Sequence, residues 1–302
     1  MAKAKEASFD APMKIKKSTG DKIADVLIYF GITVLSLICI LPFIQVLAVS
    51  LSSSSSVYAN QVLLIPVGLN IDAYRQVLAD SNLVHSLWFT AILTITFTIG
   101  GMLVTIFSAY ALSRPKLKGR YFFATLFLIT MYFSAGIIPD YLLMDNLNIL
   151  DSVWCLFLPG LFSAYNMIIL RTFIQNSIPE SLIEAAELDG CDDFRILFQV
   201  VLPLSKSVLA TLALFYAVGR WNSFSDALYY ITSEKYKPLQ LKLKEITDSA
   251  AASDNEAGTS AVTNSKVFQS AGIMFATIPI VIIYPFVQKY FVSGVMVGAV
   301  KG

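Results

Sequence analysis

The chain has 302 residues, of which 56% are hydrophobic and only 14% are charged, whereas ordinary globular proteins have about 45–50% and about 25%. Too little charge is available to cover this much apolar side chain in water, so the composition excludes a soluble globular protein and a disordered one. Lys and Arg number 22 and Asp and Glu 21, so no excess charge indicates nucleic acid. Three distant cysteines and one histidine, His85, exclude a disulfide scaffold and a multi-histidine metal site. The composition predicts a multi-span membrane protein.

Six stretches are apolar and long enough to cross the hydrocarbon layer of a bilayer, which takes about 20 residues in a helix. They are residues 26–51, 83–112, 121–143, 153–170, 208–231 and 268–288. The first run is far longer than the roughly 7–15-residue core of a signal peptide, so we expect it to be retained. The sequence therefore predicts an all-α polytopic membrane protein with six transmembrane helices.

Lysine and arginine near the span ends predict the orientation of the bundle. Six lysines precede the first span, and four basic residues lie between positions 114 and 120, so we expect both termini and these loops to be cytoplasmic. The predicted outer loop 233–266 carries five lysines and disagrees, and we follow the other loops. Within it, residues 236–247 predict a strand or short helix and residues 248–265 a mobile stretch. The loop is either a solvated hairpin or a docking surface for an extracellular partner.

The predicted cytoplasmic connection 171–207 is much longer than a helix bundle requires. Ser177 and Glu180 have the spacing of a capping box, and Pro179 is tolerated in a first helical turn. We therefore expect a helix to begin at Ser177 and to run to about residue 189. Gly190 follows it as the residue able to adopt a positive φ after a helix C-terminus.

A second short helix is predicted in the same connection, over residues 194–201. Asp192 or Asp193 can cap its N-terminus, and Pro203 is expected to end it. Both helices carry large apolar faces that must be buried against something. Two alternatives remain: an amphipathic pair lying on the membrane surface, or a pair docked in a groove of a soluble partner.

The same connection resembles the EAA loop of binding-protein-dependent ABC importer permeases. Its matching positions are Glu184, Ala185, Ala186, Gly190, Leu202 and Pro203, with Val200 where the family pattern has Ile. The glycine-rich C-terminal end resembles that of the maltose-permease-like carbohydrate subgroup, and within it permeases for complex or oligomeric sugars such as alginate. The similarity extends over residues 23–302.

The resemblance implies the type I ABC importer permease fold and a non-catalytic subunit in a bacterial cytoplasmic membrane. An ABC transmembrane type-1 domain would occupy 83–292, with coupling helices at 177–203, a first helix and outer loop at 23–82, and cytoplasmic tails at 1–22 and 293–302. The implied partners are a second permease chain, two cytoplasmic ATP-binding subunits, an extracellular solute-binding protein, a carbohydrate and membrane lipid. The EAA residues would transmit closure of the ATPases, which use the ATP.

The sequence lacks the usual nucleotide-binding and catalytic motifs, which agrees with a subunit that is not an enzyme. No GxxxxGK[ST] phosphate loop occurs, so we expect no nucleotide or other cofactor on this chain. The single His85 excludes a credible Ser/His/Asp set, and it is interpreted as an interfacial residue rather than a proton relay. No nucleic acid partner is expected.

Polar side chains inside spans are costly and mark candidate positions along a solute path. They are Asn166 in span four and Arg220, Trp221, Asn222 and Asp226 in span five. Asn222 and Asp226 are four residues apart and are predicted to share a helix face. The alternative is that Arg220 and Asp226 form an ion pair or anchor backbone carbonyls.

Two other functional classes compete with the importer subunit. An ion-coupled secondary transporter would show inverted repeats and midplane carboxylates, and no convincing repeat is visible. An intramembrane enzyme would need paired catalytic carboxylates or histidines inside the spans, and the sequence lacks them.

Overall fold

The computed structural model describes residues 18–256 and 259–299, and every regular element in these ranges is helical. The all-α prediction is confirmed. Of the two predicted tails, 1–22 and 293–302, residues 1–17 and 300–302 lie outside these ranges. The domain boundaries therefore stay predictions.

Two long helices account for the first two predicted spans. The elements are α1 Thr19–Ser50, α2 Ser54–Tyr58, α3 Asp72–Ala79 and α4 Ser81–Ser113. Of the α1 residues, only Ala48 and Ser50 are buried. A helix that is apolar around its whole circumference and unburied within its own chain faces lipid or another membrane protein.

The third and fourth predicted spans are not continuous helices, and this part of the prediction is wrong. The elements here are α5 Arg120–Tyr132, α6 Ile137–Asn146, α7 Val153–Phe157 and α8 Ala164–Ser177. The helices α5 and α6 meet at an angle of 115°. Gly136 (φ +90°) and Gly160 (φ +78°) lie in the two breaks, in a conformation that favours glycine.

The predicted cytoplasmic connection and the predicted fifth span follow. The elements are α9 Glu180–Leu188, α10 Asp193–Ile196, a π-helical turn Leu197–Val201, α11 Leu202–Leu204, α12 Lys206–Asn222 and α13 Ser225–Tyr230. The chain turns by 86° at Ser205, between the stretch that ends with α11 and helix α12. The predicted span 208–231 is interrupted between α12 and α13, so a single helix across it is also wrong.

The predicted outer loop is helical. It contains a 3₁₀ turn Glu234–Tyr236 and then α14 Leu239–Glu256 and α15 Thr259–Ala299. The strand alternative is therefore wrong, whereas the mobility of residues 248–265 stays a prediction. The alternating residues Leu239, Leu241 and Leu243 are all buried, because α14 is covered by α4 and α13 as well as by α15. At Gly272 an added Cβ would lie 3.0 Å from Leu243 Cδ2, which shows how closely α14 and α15 pack.

Helix α4 is the centre of the bundle and packs against α8 and α12. A Cβ added at Gly101 would lie 2.7 Å from the Tyr216 ring, so only glycine allows α12 to approach this closely. The Tyr216 hydroxyl lies 2.7 Å from Thr105 Oγ1 and accepts a 3.2 Å hydrogen bond from the Ser163 N–H. One tyrosine thus joins α4, α12 and the start of α8.

Three helices in the described ranges are long and apolar enough to cross a membrane. They are Thr19–Ser50, Ser81–Ser113 and Lys266–Pro285. The number rises to five if each of the two bent helix pairs, Arg120–Tyr132 with Ile137–Asn146 and Asp193–Leu204 with Lys206–Asn222, is one span. The count of six stays a prediction.

Candidate functional site

Segment 177–203, predicted to be cytoplasmic and named the coupling segment below after its expected role, turns at Gly190. This glycine has φ +81°, and the Gly190 N–H donates to the Glu187 carbonyl while the Cys191 N–H donates to the Ala186 carbonyl, both at 3.0 Å. These are the two bonds of a Schellman motif, which satisfies carbonyls left unpaired at a helix end. The predicted positive φ at Gly190 is confirmed. Asp192 caps α10 by accepting a 2.8 Å hydrogen bond from the Arg195 N–H. Of the two predicted caps, Asp192 and Asp193, the first is therefore confirmed.

Two other predictions for the coupling segment are wrong. Ser177 does not begin a helix: it is the last residue of α8, and α9 begins only at Glu180, after Pro179. Helix α8 continues this far because its buried residue Ile174 and the following Ile178 extend its apolar face into the core. Pro203 does not end the second helix either, because it occupies the first turn of α11, where a missing N–H is tolerated.

The coupling segment has one face fixed to the bundle and one face left open. Its buried side chains belong to the same hydrophobic cluster as α4, α8 and α12, and they are Ile178, Ile183, Ile196, Leu197 and Val201. Outside this cluster Leu188 is 90% exposed, and Phe194 is 65% exposed although its ring lies 6.4 Å from that of Phe107 in α4. Large apolar side chains that the rest of the chain leaves uncovered need lipid or a partner protein to cover them.

The EAA positions are divided between these two faces. Glu184 and Ala185 are exposed, whereas Ala186 is half-buried and packs against the core cluster. Leu202 is half-buried, and Pro203 is exposed. The outer part of the motif is therefore accessible to a partner while its inner part touches the bundle.

Ion pairs fasten the coupling segment to the C-terminal end of α4. Arg114 contacts Glu187 and lies 3.6 Å from Asp193 Oδ1, and Lys116 Nζ lies 2.5 Å from Glu187 Oε2. The Tyr110 hydroxyl donates a 3.2 Å hydrogen bond to the same Asp193 carboxylate. The hydrogen bond from Lys116, with the charges of Lys116 and Arg114, lowers the pKa of Glu187 below its ordinary value.

The sequence did not predict the ion pairs of Arg114 and Lys116 with Glu187, which are named the clamp below. Arg114 and Lys116 are interpreted there only as an orientation signal, and Glu187 lies outside the EAA pattern. Glu187 is more than 70 positions away from both Arg114 and Lys116 in the chain, so no local spacing could have paired it with them. The one available signal is that basic and acidic side chains both occur in loops predicted on the same side.

Span five contains a buried ion pair across its break. Arg220 Nη1 and Nη2 lie 2.5 and 3.1 Å from Asp226 Oδ2 and Oδ1, and Nη1 also donates to the Leu156 carbonyl at 3.0 Å. The Arg220 guanidinium lies 5.7 Å from the centre of the Phe97 ring. This geometry is that of an ion pair and carbonyl anchor, the alternative stated for these two residues.

The other candidate path residues do not converge on one point. Asn222 ends α12 and Asp226 lies in α13, so the prediction of a shared helix face is wrong because the helix breaks between them. Asn222 is exposed, and Trp221 beside it is buried. Asn166 is buried in α8.

His85 lies at the outer edge of α4. Its Nε2 is 3.0 Å from the Lys235 carbonyl oxygen, and the side chain is exposed. This position joins α4 to the segment before α14, and it fits an interfacial residue.

Comparison with known proteins decides the family. Residues 121–297 match the family model described as "Binding-protein-dependent transport system inner membrane component". This chain belongs to that family. It is 40% identical over 285 residues to the polygalacturonan/rhamnogalacturonan transport system permease protein YtcP of Bacillus subtilis (strain 168), covering 93% of this chain and 99% of the relative. It is 36% identical to protein LplC of the same strain, covering 88% of this chain and 90% of the relative.

A solved structure is similar over nearly the whole chain. It is a bacterial ABC transporter involved in the import of the acidic polysaccharide alginate, with a TM-score of 0.81 and 32% identity, covering 92% of this chain and 100% of the other. The resemblance to ABC importer permeases and the type I permease fold are thereby confirmed. The family consists of inner membrane components of transport systems, so this chain is a multi-pass membrane protein. The family match gives no support to an ion-coupled secondary transporter.

Proposed function

We propose that this chain is a permease subunit of an ATP-driven importer of oligosaccharides or polysaccharide fragments. It forms half of the translocation path, and the coupling segment links it to a cytoplasmic ATPase. The observation that carries the proposal is the two-faced coupling segment, whose inner face is packed into the bundle and whose outer face exposes Leu188. An apolar helix face of this kind suits a groove on a soluble partner.

The substrate class rests on the relatives. One is named for polygalacturonan and rhamnogalacturonan, another for arabinooligosaccharides, and the similar solved transporter imports alginate. All are polymers or oligomers of sugars, which is why an oligosaccharide is proposed for this chain. The further partners follow from the family: a second permease chain, two ATP-binding subunits and an extracellular solute-binding protein. Both termini then lie in the cytoplasm, and ATP is bound by the partners rather than by this chain.

The covalent and packed connections of the coupling segment provide a route for movement. The π-helical turn and α11 lead through the 86° bend at Ser205 directly into α12. On the other side, the pairs of Arg114 and Lys116 with Glu187 attach α9 to α4. A displacement of the coupling segment by a closing ATPase therefore reaches both central helices, and ATP binding supplies the differential free energy that exchanges the two access states.

Each EAA position has a role in this mechanism. Glu184 offers an exposed carboxylate to a basic group on the ATPase, and Ala185 allows a close approach. Ala186 and Leu202 pack towards the bundle, and Gly190 provides the turn between the two helices. Pro203 starts the short helix that leads to the bend.

Charge reversal at Glu184 tests the proposal in the assembled importer. We expect Glu184→Lys to abolish ATP-driven sugar uptake and ATPase co-purification while the permease pair stays folded in detergent. Asn176→Lys places the same charge on the exposed end of α8, outside the coupling segment, and should leave both readouts unchanged. Normal uptake with normal ATPase association in Glu184→Lys would contradict the docking role.

A further inference from the structure

A cavity of about 300 Å³ lies where the break between α12 and α13 faces α14 and α15. This volume is at the lower end of the range of about 300–1,000 Å³ for ligand pockets, so it suits one part of an oligosaccharide. The floor is apolar and comes from α14 and α15, through Leu243, Ile273, Ala276 and Ile280. The polar and aromatic wall is formed by Asn222, Phe224, Gln240, Lys244, Thr247 and Thr277.

The wall offers hydrogen-bond acceptors to a polyhydroxylated ligand. The Thr277 hydroxyl donates to the Ile273 carbonyl at 2.7 Å, which leaves its oxygen lone pairs free to accept. One N–H of the Asn222 side-chain amide donates to the Val218 carbonyl at 3.0 Å. This bond does not use the second N–H or the side-chain carbonyl oxygen, which can bind a ligand. With the Phe224 ring, the wall combines an aromatic surface with a few polar groups, as ligand pockets do.

A charged side chain in the cavity lining can distinguish acidic sugars from neutral ones. Among the described residues that line it, Lys244 is the one that carries a charge. The Lys244 ammonium lies 2.8 Å from both carboxylate oxygens of Asp248, which is not part of the lining. An ammonium has three N–H donors, so it can bind a ligand carboxylate while it keeps this contact.

The neighbouring lysines of α14 and the turn before it are engaged differently. Lys237 and Lys242 both pair with Glu234 and Glu245, and all four groups form a neutral network. Neither of these two lysines lines the cavity. Lys244 is therefore the lysine within reach of a ligand in the cavity, and a ligand carboxylate would share its ammonium with Asp248.

We propose that this cavity is a binding subsite for the carboxylate-bearing unit of an anionic oligosaccharide, with Lys244 as the counter-ion and Asn222, Thr277 and Phe224 contacting the sugar ring. The inference rests on the proposed function and specifies its substrate as an oligosaccharide of uronic acids.

The test is equilibrium binding to the purified importer complex without its solute-binding protein. The probes are digalacturonate and its dimethyl ester, which share the ring geometry and differ in charge. We expect Lys244→Gln to raise the Kd of digalacturonate about fivefold, the effect of losing one partly exposed charged pair. The same variant should leave the Kd of the ester unchanged, and Lys244→Arg should restore tight binding of the acid.

Lys235→Gln is the matched control, because it removes a lysine of the same loop whose ammonium lies over the Tyr236 ring and outside the cavity. An unchanged digalacturonate Kd in Lys244→Gln, an equal loss for acid and ester, or a wild-type complex that binds neither would each overturn the subsite. ATP-driven uptake of neutral and acidic sugars by the complete wild-type importer tests the proposed function separately. Uptake of neutral oligosaccharides alone would refute the subsite and leave the importer function standing.

Discussion

Asp226→Asn tests the interpretation that the Arg220–Asp226 pair holds the break in span five together. The side chain of Arg220 is 4% exposed and that of Asp226 is 21% exposed. Removing one partner of a buried pair costs about 3–5 kcal/mol, because the remaining charge stays buried without compensation. Since Asp226 is partly exposed and an Asn could still accept from Ser223 Oγ, we expect the low end, about 3 kcal/mol of unfolding free energy.

A double-mutant cycle measures this coupling. Arg220→Met, Asp226→Asn and the double variant are unfolded by titration with SDS in mixed micelles, and the double variant should be more stable than the sum of the two single losses predicts. Asp72→Asn is the control, because it breaks an exposed Asp–Arg pair with Arg75 at 3.3 Å and should cost under about 1 kcal/mol. A zero coupling energy, with uptake lost in a variant of unchanged stability, would refute the structural interpretation and favour contact with the solute.

Two further predictions concern close packing and pH. Gly101→Ala should cost about 1–3 kcal/mol of unfolding free energy, because the new Cβ would lie 2.7 Å from the Tyr216 ring; Gly219→Ala, with no atom within 4 Å of its Cβ, is the control and should not destabilise. The pKa of Glu187 is lower in the folded protein than its ordinary value of 4.5. Its ion pairs therefore stabilise the coupling segment fully at a pH above the pKa of the unfolded state. This stabilisation is lost as the pH falls through the pKa of the folded state, which lies below 4.5. Hydrogen exchange of the α9 amides should therefore become faster, relative to Glu187→Gln, as the pH is lowered through that range, and an identical pH dependence in the two proteins would contradict the clamp.

The sequence was sufficient to predict the membrane class, the helical architecture and the turn at Gly190. These features depend on local quantities, namely the length of an apolar run and the tolerance of glycine for a positive φ. The continuity of the spans was not predictable in this way. Hydropathy measures how apolar a stretch is, and the stretches around Gly136 and Gly160 are mostly apolar whether or not the backbone stays helical.

The side-chain contacts of the site were beyond the sequence for a different reason. The clamp between Arg114 and Glu187 and the wall formed by Asn222 and Lys244 join residues from distant helices, and their pairing depends on how those helices pack. The capping-box prediction at Ser177 failed because tertiary burial of Ile178 overrode a local capping preference.

The central claim is that the exposed face of the coupling segment contacts an ATPase. A photo-cross-linking amino acid placed at Leu188, which is 90% exposed, measures this contact directly in the membrane-embedded importer. The same probe at Ile183, which is 7% exposed and faces the bundle, is the matched control. The account predicts a cross-link from position 188 to the nucleotide-binding subunit and none from position 183. Cross-links from position 188 to lipid alone, in an importer that still transports sugar, would contradict it.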